Sequence, residues 1–332
     1  MRALVYNGTL QLRNDYPLPT PEPGEALVRV KQAGICNTDL EITRGYMAFT
    51  GVPGHEFIGV VEQITGETAG LPKLLSRRVV GEINAYCGLC STCLTGHPTH
   101  CPHRTTLGIA GRDGAFAEYL TLPARNLHPV PDAVSDDEAV FVEPLAAALE
   151  ILEQIQIRPT DRVNVLGDGK LGLLVAQVLS LTGCDLTAIG RHPEKLAILA
   201  RRGITTRLVG EHLPGQADMV VECTGNPAGF AQARAMLRPR GTLVLKSTYA
   251  GDLAPLLTGS GSLNLLSGLV VDEIRVIGSR CGPFAPALRL LEHGLVDVKS
   301  LVHARYPLAE GLAAFEQAAR PGVLKVLVQM EL

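Results

Sequence analysis

Two rhythms of apolar residues divide the chain. Up to about residue 150 they fall in short runs of β type, such as 26–30 and 57–64. Turn-forming stretches at 19–25, 50–56 and the Cys- and Gly-rich 87–114 interrupt these runs, which predicts a loop-rich, mostly β domain. From about residue 160 the period changes. RVNVL (162–166) reads as a strand and leads into an apolar pattern over 170–183 that suits a buried helix. LTAIG (186–190) is a second strand, 193–203 a helix ended by Gly203, 219–225 a strand, and 230–241 a helix. Strands at 241–247 and 273–279 continue the alternation. Strand alternating with helix predicts a parallel sheet covered on both faces, an α/β architecture. Beyond residue 284 come two helical patterns, 285–294 and 308–319, and a strand-like run at 323–330.

Composition narrows the class. Apolar residues make up 46 % and charged residues 19 % of 332 positions, enough for a sizeable core. Thirty basic against thirty-three acidic residues leave a net charge of −3, too balanced for an electrostatic nucleic-acid binder. The longest apolar stretch, 141–152, is broken by Glu143 and Glu150, so no membrane span of about 18 residues is expected. Asn7-Gly8 arrives before a signal-like run develops, and a cytoplasmic protein is expected. Four of the eight cysteines lie within fifteen positions. In a reducing compartment such clustering predicts thiolate metal ligands rather than disulfides.

Cys87-x2-Cys90-x2-Cys93-x7-Cys101 can close a tetrahedron round Zn²⁺ with no position left for substrate. Such a site organises a lobe and does no chemistry. His97, His100 and His103 lie close enough to compete as ligands. A second constellation is Cys36-Asn-Thr38-Asp39 with Gly54-His55-Glu56. Thiolate, imidazole and carboxylate are the donor types of an open zinc site, although a single Cys and a single His are more often packing residues. Glu143, a carboxylate in an apolar stretch, needs a partner, and a metal or its water would serve. The third is Gly167-Asp-Gly169-Lys170-Leu171-Gly172, which follows a strand and opens a helix. Glycines there permit a tight turn and close approach of a pyrophosphate to the helix N-terminus.

Together these residues resemble the zinc-dependent medium-chain dehydrogenases, the family of alcohol, sorbitol, threonine and glucose dehydrogenases. GIC-x-TD (34–39), GHE (54–56), the four-cysteine loop, EPL (143–145), GxGxxG, ECTGNP (222–227) and GSRCG (278–282) occur in that family's order. EPL and ECTGNP lean towards its polyol and threonine branches.

The resemblance implies a GroES-like catalytic domain (1–150), a Rossmann dinucleotide-binding domain (151–284) and a C-terminal return to the first (285–332). It implies two Zn²⁺ per chain: Cys36, His55 and Glu56 at the catalytic ion, with Glu143 as fourth ligand or partner of its water, and the four clustered cysteines at the structural ion. Thr38 matches the proton-relay hydroxyl and Asp39 the carboxylate that orients the ligand histidine. Many relatives carry histidine where this chain has Glu41, which is either a relay group or a surface glutamate. Tyr46, Met47 and Phe49 would flank the pocket by family position. The activity implied is hydride transfer between an alcohol or polyol, a secondary alcohol above all, and a nicotinamide cofactor.

NADP(H) is expected over NAD(H). Gly190 stands where NAD-selective relatives have an acid, and Arg191, His192 and Lys195 follow it. Arg280 is the remaining expected cofactor contact. In members of the family the chain resembles, the strand corresponding to the β-prone run 269–280 pairs with its twin across a two-fold axis, so the resemblance implies a homodimer or homotetramer. Two rivals remain, a zinc-ribbon nucleic-acid module and a quinone-reductase-like or non-catalytic relative. The net charge opposes the first, and the presence of Cys36, His55 and Glu56 opposes the second.

Overall fold

The structure, a computed structural model, describes residues 1–66, 73–211, 216–249 and 265–330. The chain folds as two compact units, one built from Met1–Glu143 and Phe284–Leu332, the other from Pro144–Pro283. The first boundary thus falls seven residues earlier than the sequence pattern placed it.

In the first unit, β1 (Glu25–Gly34) leads directly into a short helix, α1 (Asn37–Ile42). Strand β1 pairs antiparallel with β2 (Glu56–Ile64), which pairs in turn with β3 (Arg78–Gly81). On β1 also lies β4 (Tyr119–Pro123), while β5 (Leu127–Pro129) borders β3. Ala26, Val28, Val30 and Ala33 of β1 are fully buried and anchor this sheet.

The helix α2 (Val142–Gln154) precedes the second unit's sheet. Strand β6 (Arg162–Leu166), helix α3 (Lys170–Ser180), strand β7 (Asp185–Gly190), helix α4 (Pro193–Ala200) and strand β8 (Thr205–Leu208) follow in order. Then come β9 (Ala217–Glu222), α5 (Pro227–Met236), β10 (Leu237–Leu245), α6 (Leu265–Val271) and β11 (Arg275–Gly278). All neighbouring strands are parallel, in the spatial order β8-β7-β6-β9-β10-β11. Numbered within the unit this is 3-2-1-4-5-6, the doubly wound order of dinucleotide-binding folds. Residues Gly172 to Leu179 of α3 are all buried, as an apolar pattern on every face demands.

Two expectations need correction. The stretch 237–241 is strand, not helix: α5 ends at Met236 because Pro239 disfavours helical backbone at Arg238 and supplies no N–H. In the run 269–280 the first three residues finish α6, and only Arg275–Gly278 is strand. Glu273, at φ 49°, turns the chain between them.

The chain then returns to the first unit through α7 (Phe284–Glu292), β12 (Val302–Pro307), α8 (Gly311–Ala318) and β13 (Lys325–Gln329). Strand β13 joins the open side of β1 antiparallel, with Leu327 opposite Gly34, and β12 lies parallel on β13. This last strand carries a side chain into the site described next.

Candidate metal centres and dinucleotide loop

Cys36 sits at the junction of β1 and α1, where it is the N-cap of the helix. Asp39 Oδ2 reaches back to accept the Cys36 backbone N–H at 2.8 Å. Its other oxygen, Oδ1, faces His55 Nδ1 at 3.3 Å, and both atoms are buried with no hydrogen bond to any other atom among the described residues. One carboxylate therefore fixes two candidate ligands at once. Its position on Nδ1 leaves Nε2 for ligation. Burial is the largest single influence and opposes protonation of His55, but the charge and hydrogen bond of Asp39 together with the Cys36 sulfur outweigh it and raise the imidazole pKa well above the ordinary value.

The donor atoms of Cys36, His55 and Glu56 lie within 4.8 Å of one another. Glu56 opens β2, and its carboxylate Oε2 takes a hydrogen bond from Lys325 Nζ. Both residues are 1 % exposed at the side chain, and the Lys325 ammonium also stands 5.5 Å above the Phe141 ring. The pairing leaves Glu56 Oε1 for a metal. A soft sulfur, an imidazole and a carboxylate, three donors with one position to spare, suit catalytic Zn²⁺. Sequence reasoning missed Lys325. The signal was a lysine inside the apolar strand VLKVLV, which must find a buried counter-charge.

Glu143 is half-buried at the start of α2 and is not one of the converging groups. Thr38 places Oγ1 3.7 Å from Cys36 Sγ. Glu41 turns towards Arg44, with Oε1 accepting from Nη1 at 2.6 Å. Phe49 packs in a core cluster with Tyr6 and Ile42, whereas Tyr46 and Met47 are exposed.

The four clustered cysteines come from one loop, and their sulfurs converge. Their sulfurs are 3.5 Å (Cys90–Cys93), 3.6 Å (Cys101–Cys87), 3.8 Å (Cys90–Cys101) and 4.0 Å (Cys87–Cys93) apart. A tetrahedron with Zn–S bonds near 2.3 Å has edges of about 3.8 Å, so the loop fits the ion. Hydrogen bonds from the amides of Leu89 and Cys90 favour the Cys87 thiolate and lower its pKa to about 6. Of the three nearby histidines, His100 pairs through Nδ1 with Thr99 Oγ1 at 3.1 Å, and none joins the sulfur cluster.

In the second unit the loop between β6 and α3 has the geometry a pyrophosphate needs. Gly167 is at φ 119°, and a Cβ on Gly172 would stand 1.9 Å from the Gly167 carbonyl oxygen. Only glycine fits either position. Gly169 caps α3, with open space where its Cβ would be, and Lys170 and Leu171 form the first turn. Between them Asp168 turns towards the end of β7. Oδ2 accepts the backbone N–H groups of Arg191 at 2.6 Å and His192 at 2.7 Å, and His192 Nδ1 lies 3.0 Å away. Burial works against its charge, but these partners hold the Asp168 pKa below the ordinary value.

The premise that no carboxylate stands at this strand tip is thereby corrected: Asp168, read in the sequence only as a spacer between glycines, supplies one. Arg191 is exposed, Lys195 is buried in α4, and Arg280 is exposed with its carbonyl accepting from Lys246 Nζ at 2.8 Å.

Comparison with known proteins finds relatives along the whole chain. Residues 22–132 match the alcohol dehydrogenase GroES-like domain, and residues 171–293 match the zinc-binding dehydrogenase domain. A sorbitol dehydrogenase of Halalkalibacterium halodurans is 30 % identical, with 99 % of each chain covered. An alcohol dehydrogenase of Escherichia coli CFT073, solved with NADH, superposes at TM-score 0.85 with 26 % identity and 99 % of each chain covered. A zinc-binding dehydrogenase of Sinorhizobium meliloti, solved with NADP, gives TM-score 0.85 and 27 % identity, covering 99 % of this chain and 98 % of that one.

The chain belongs to the zinc-dependent medium-chain dehydrogenases. It is an enzyme, an oxidoreductase acting on alcohols or polyols with a nicotinamide cofactor. No helix among the described residues is long and apolar enough to cross a membrane.

Proposed function

We propose that this enzyme oxidises a secondary alcohol of a small polyol reversibly to the ketone, in the cytoplasm, with two Zn²⁺ per chain. The observation that carries the reading is the convergence of Cys36, His55 and Glu56, with Asp39 aligned on His55 and Lys325 on Glu56. When bound, zinc supplies the positive charge that acidifies the alcohol, and the nicotinamide supplies the hydride acceptor. Cys36, His55 and Glu56 are the ligands at that site. Glu143, outside the cluster, takes the outer role of partner to a water. The Thr38 hydroxyl, beside the Cys36 sulfur, receives the substrate proton and passes it outward. Glu41, engaged by Arg44, is a surface glutamate in this reading.

Gly167, Gly169 and Gly172 cradle the dinucleotide phosphates, with the amides of Lys170 and Leu171 opening α3 beneath them. At the adenosine end two charges oppose each other. The exposed Arg191 favours the 2′-phosphate of NADP(H), as the sequence suggested, and the Asp168 carboxylate disfavours it. The chain is further proposed to form homodimers or a tetramer of dimers. The supporting feature is β11, an edge strand with Val276 43 % exposed. Sedimentation should give at least the dimer, and a 35 kDa species at micromolar concentration would refute that part.

The decisive experiment assays alcohols, polyols and sugars against both nicotinamide cofactors, with zinc determined on the same sample. Secondary polyols should be oxidised by protein holding two zinc ions. Primary alcohols alone as substrates, or no dinucleotide-dependent oxidation by zinc-replete protein, would overturn the reading.

A further inference from the structure

Asp168 and Gly190 form a matched pair across two loops. A Cβ on Gly190 would lie 2.4 Å from Asp168 Oδ2 and 2.5 Å from Asp168 Cβ. Residue 190 must therefore be glycine for as long as Asp168 stands over it. The usual acid of this fold, at the tip of the second strand, accepts from the adenosine ribose 2′-OH. In this chain the tip has given up its side chain, and a carboxylate has entered the same space from the glycine turn.

That carboxylate is firmly held. It takes the backbone N–H groups of Arg191 and His192, with the His192 imidazole beside it. These are the two N–H groups that lead into α4, since Pro193 in its first turn donates none. An incoming phosphate at this corner would use them, and they are already taken. A carboxylate offers about four acceptor positions. The two amides and the imidazole use three, which leaves one for a ribose hydroxyl.

We propose that Asp168 is the specificity-determining residue of the dinucleotide site, a strand-tip acid relocated to the glycine turn that accepts the ribose 2′-OH and repels a 2′-phosphate, so that NAD(H) is favoured over NADP(H). Arg191 softens the discrimination and does not reverse it, because its side chain is exposed whereas Asp168 is buried and already holds the corner's amides. The proposal rests on the reading of this loop as a dinucleotide site.

Binding of NADH and of NADPH, followed by the fluorescence of the reduced nicotinamide, tests it without turnover. Wild-type protein should bind NADH more tightly. Asp168→Asn keeps the shape and an acceptor for the amides but removes the charge, and should shift the affinity ratio towards NADPH by at least about tenfold. A second variant guards against misfolding of the first. Asp168→Gly with Gly190→Asp moves the acid back to the strand tip and clears the 2.4 Å conflict, and it should retain the preference for NADH. An unchanged ratio in Asp168→Asn, tighter NADPH binding by the wild type, or a swap variant that favours NADPH would each overturn the assignment. If wild-type protein binds neither nucleotide, the reading of this loop as a dinucleotide site falls instead.

Discussion

The two candidate metal centres of the first unit are built in opposite ways. Cys87, Cys90, Cys93 and Cys101 come from fifteen consecutive positions, and their loop brings the sulfurs within 4.0 Å of their neighbours by its own turns. Cys36, His55, Glu56 and Lys325 come instead from the start of α1, the start of β2 and the last strand, with Lys325 and Glu56 separated by 269 positions. The assembled centre inherits every ångström from the sheet, which allows a donor set with an open position that a single loop would close.

The largest effect should come from the metals themselves. Cys36→Ala should lower turnover by about a thousandfold, the worth of several kcal/mol of transition-state charge stabilisation, and should leave one zinc per chain. Cys90→Ala should also leave one zinc, but it should open the 87–101 lobe to proteolysis. Elemental analysis of metal-replete wild type giving one zinc or fewer would remove the comparison altogether.

Next in size is the buried ion pair. In protein stripped of the metal at that site, Lys325→Met strands the Glu56 charge and should cost about 3–5 kcal/mol in urea unfolding. Lys325→Met with Glu56→Gln should recover much of that loss. The four-cysteine loop should keep its zinc in both variants.

A smaller effect is expected in acid. Burial opposes the charge of Asp136, but Lys31 of β1 and Arg78 of β3 outweigh it and depress its pKa below the ordinary 3.8. Its contribution is complete above that value and is lost as pH falls through the lower, folded one. Asp136→Asn should therefore reduce stability at neutral pH and flatten the acid limb of a thermal-melting series. A parallel acid limb in wild type and variant would show that this bridge does not brace the sheet behind the assembled centre. Smallest of all, Glu41→Gln breaks only a surface pair with Arg44 and should change stability by under about 0.5 kcal/mol. A larger loss would place Glu41 in a tighter setting than its ion pair indicates.

The same contrast governs what could be read from the sequence. The four-cysteine loop was legible because its spacing is its geometry. The strands and helices of the second unit were legible because alternation and apolar runs record burial directly, as in β6 and α3. The helix pattern over 230–241 misled because Met236-Leu237 changes from helix to strand with no glycine between them, and only Pro239 marks the change. Lys325 and Asp168 were missed for another reason. Each acts on residues distant in sequence, Glu56 and the Arg191–His192 amides, and no local pattern records a partner supplied by folding. Phe49 packs with Tyr6 and Ile42, as an apolar residue between turns often does.

The strand that carries Lys325 also sets a timetable. The second unit is one uninterrupted segment, and the four-cysteine loop is complete once Cys101 has been made. The Glu56 carboxylate must wait for a lysine that the ribosome adds more than two hundred residues later. At about 5–20 residues per second those 269 residues take roughly 13–54 s of elongation. The nascent chain can thus fold its second unit while Glu56 still lacks its counter-charge, and the Lys325–Glu56 pair forms only once the strand that carries Lys325 has been made.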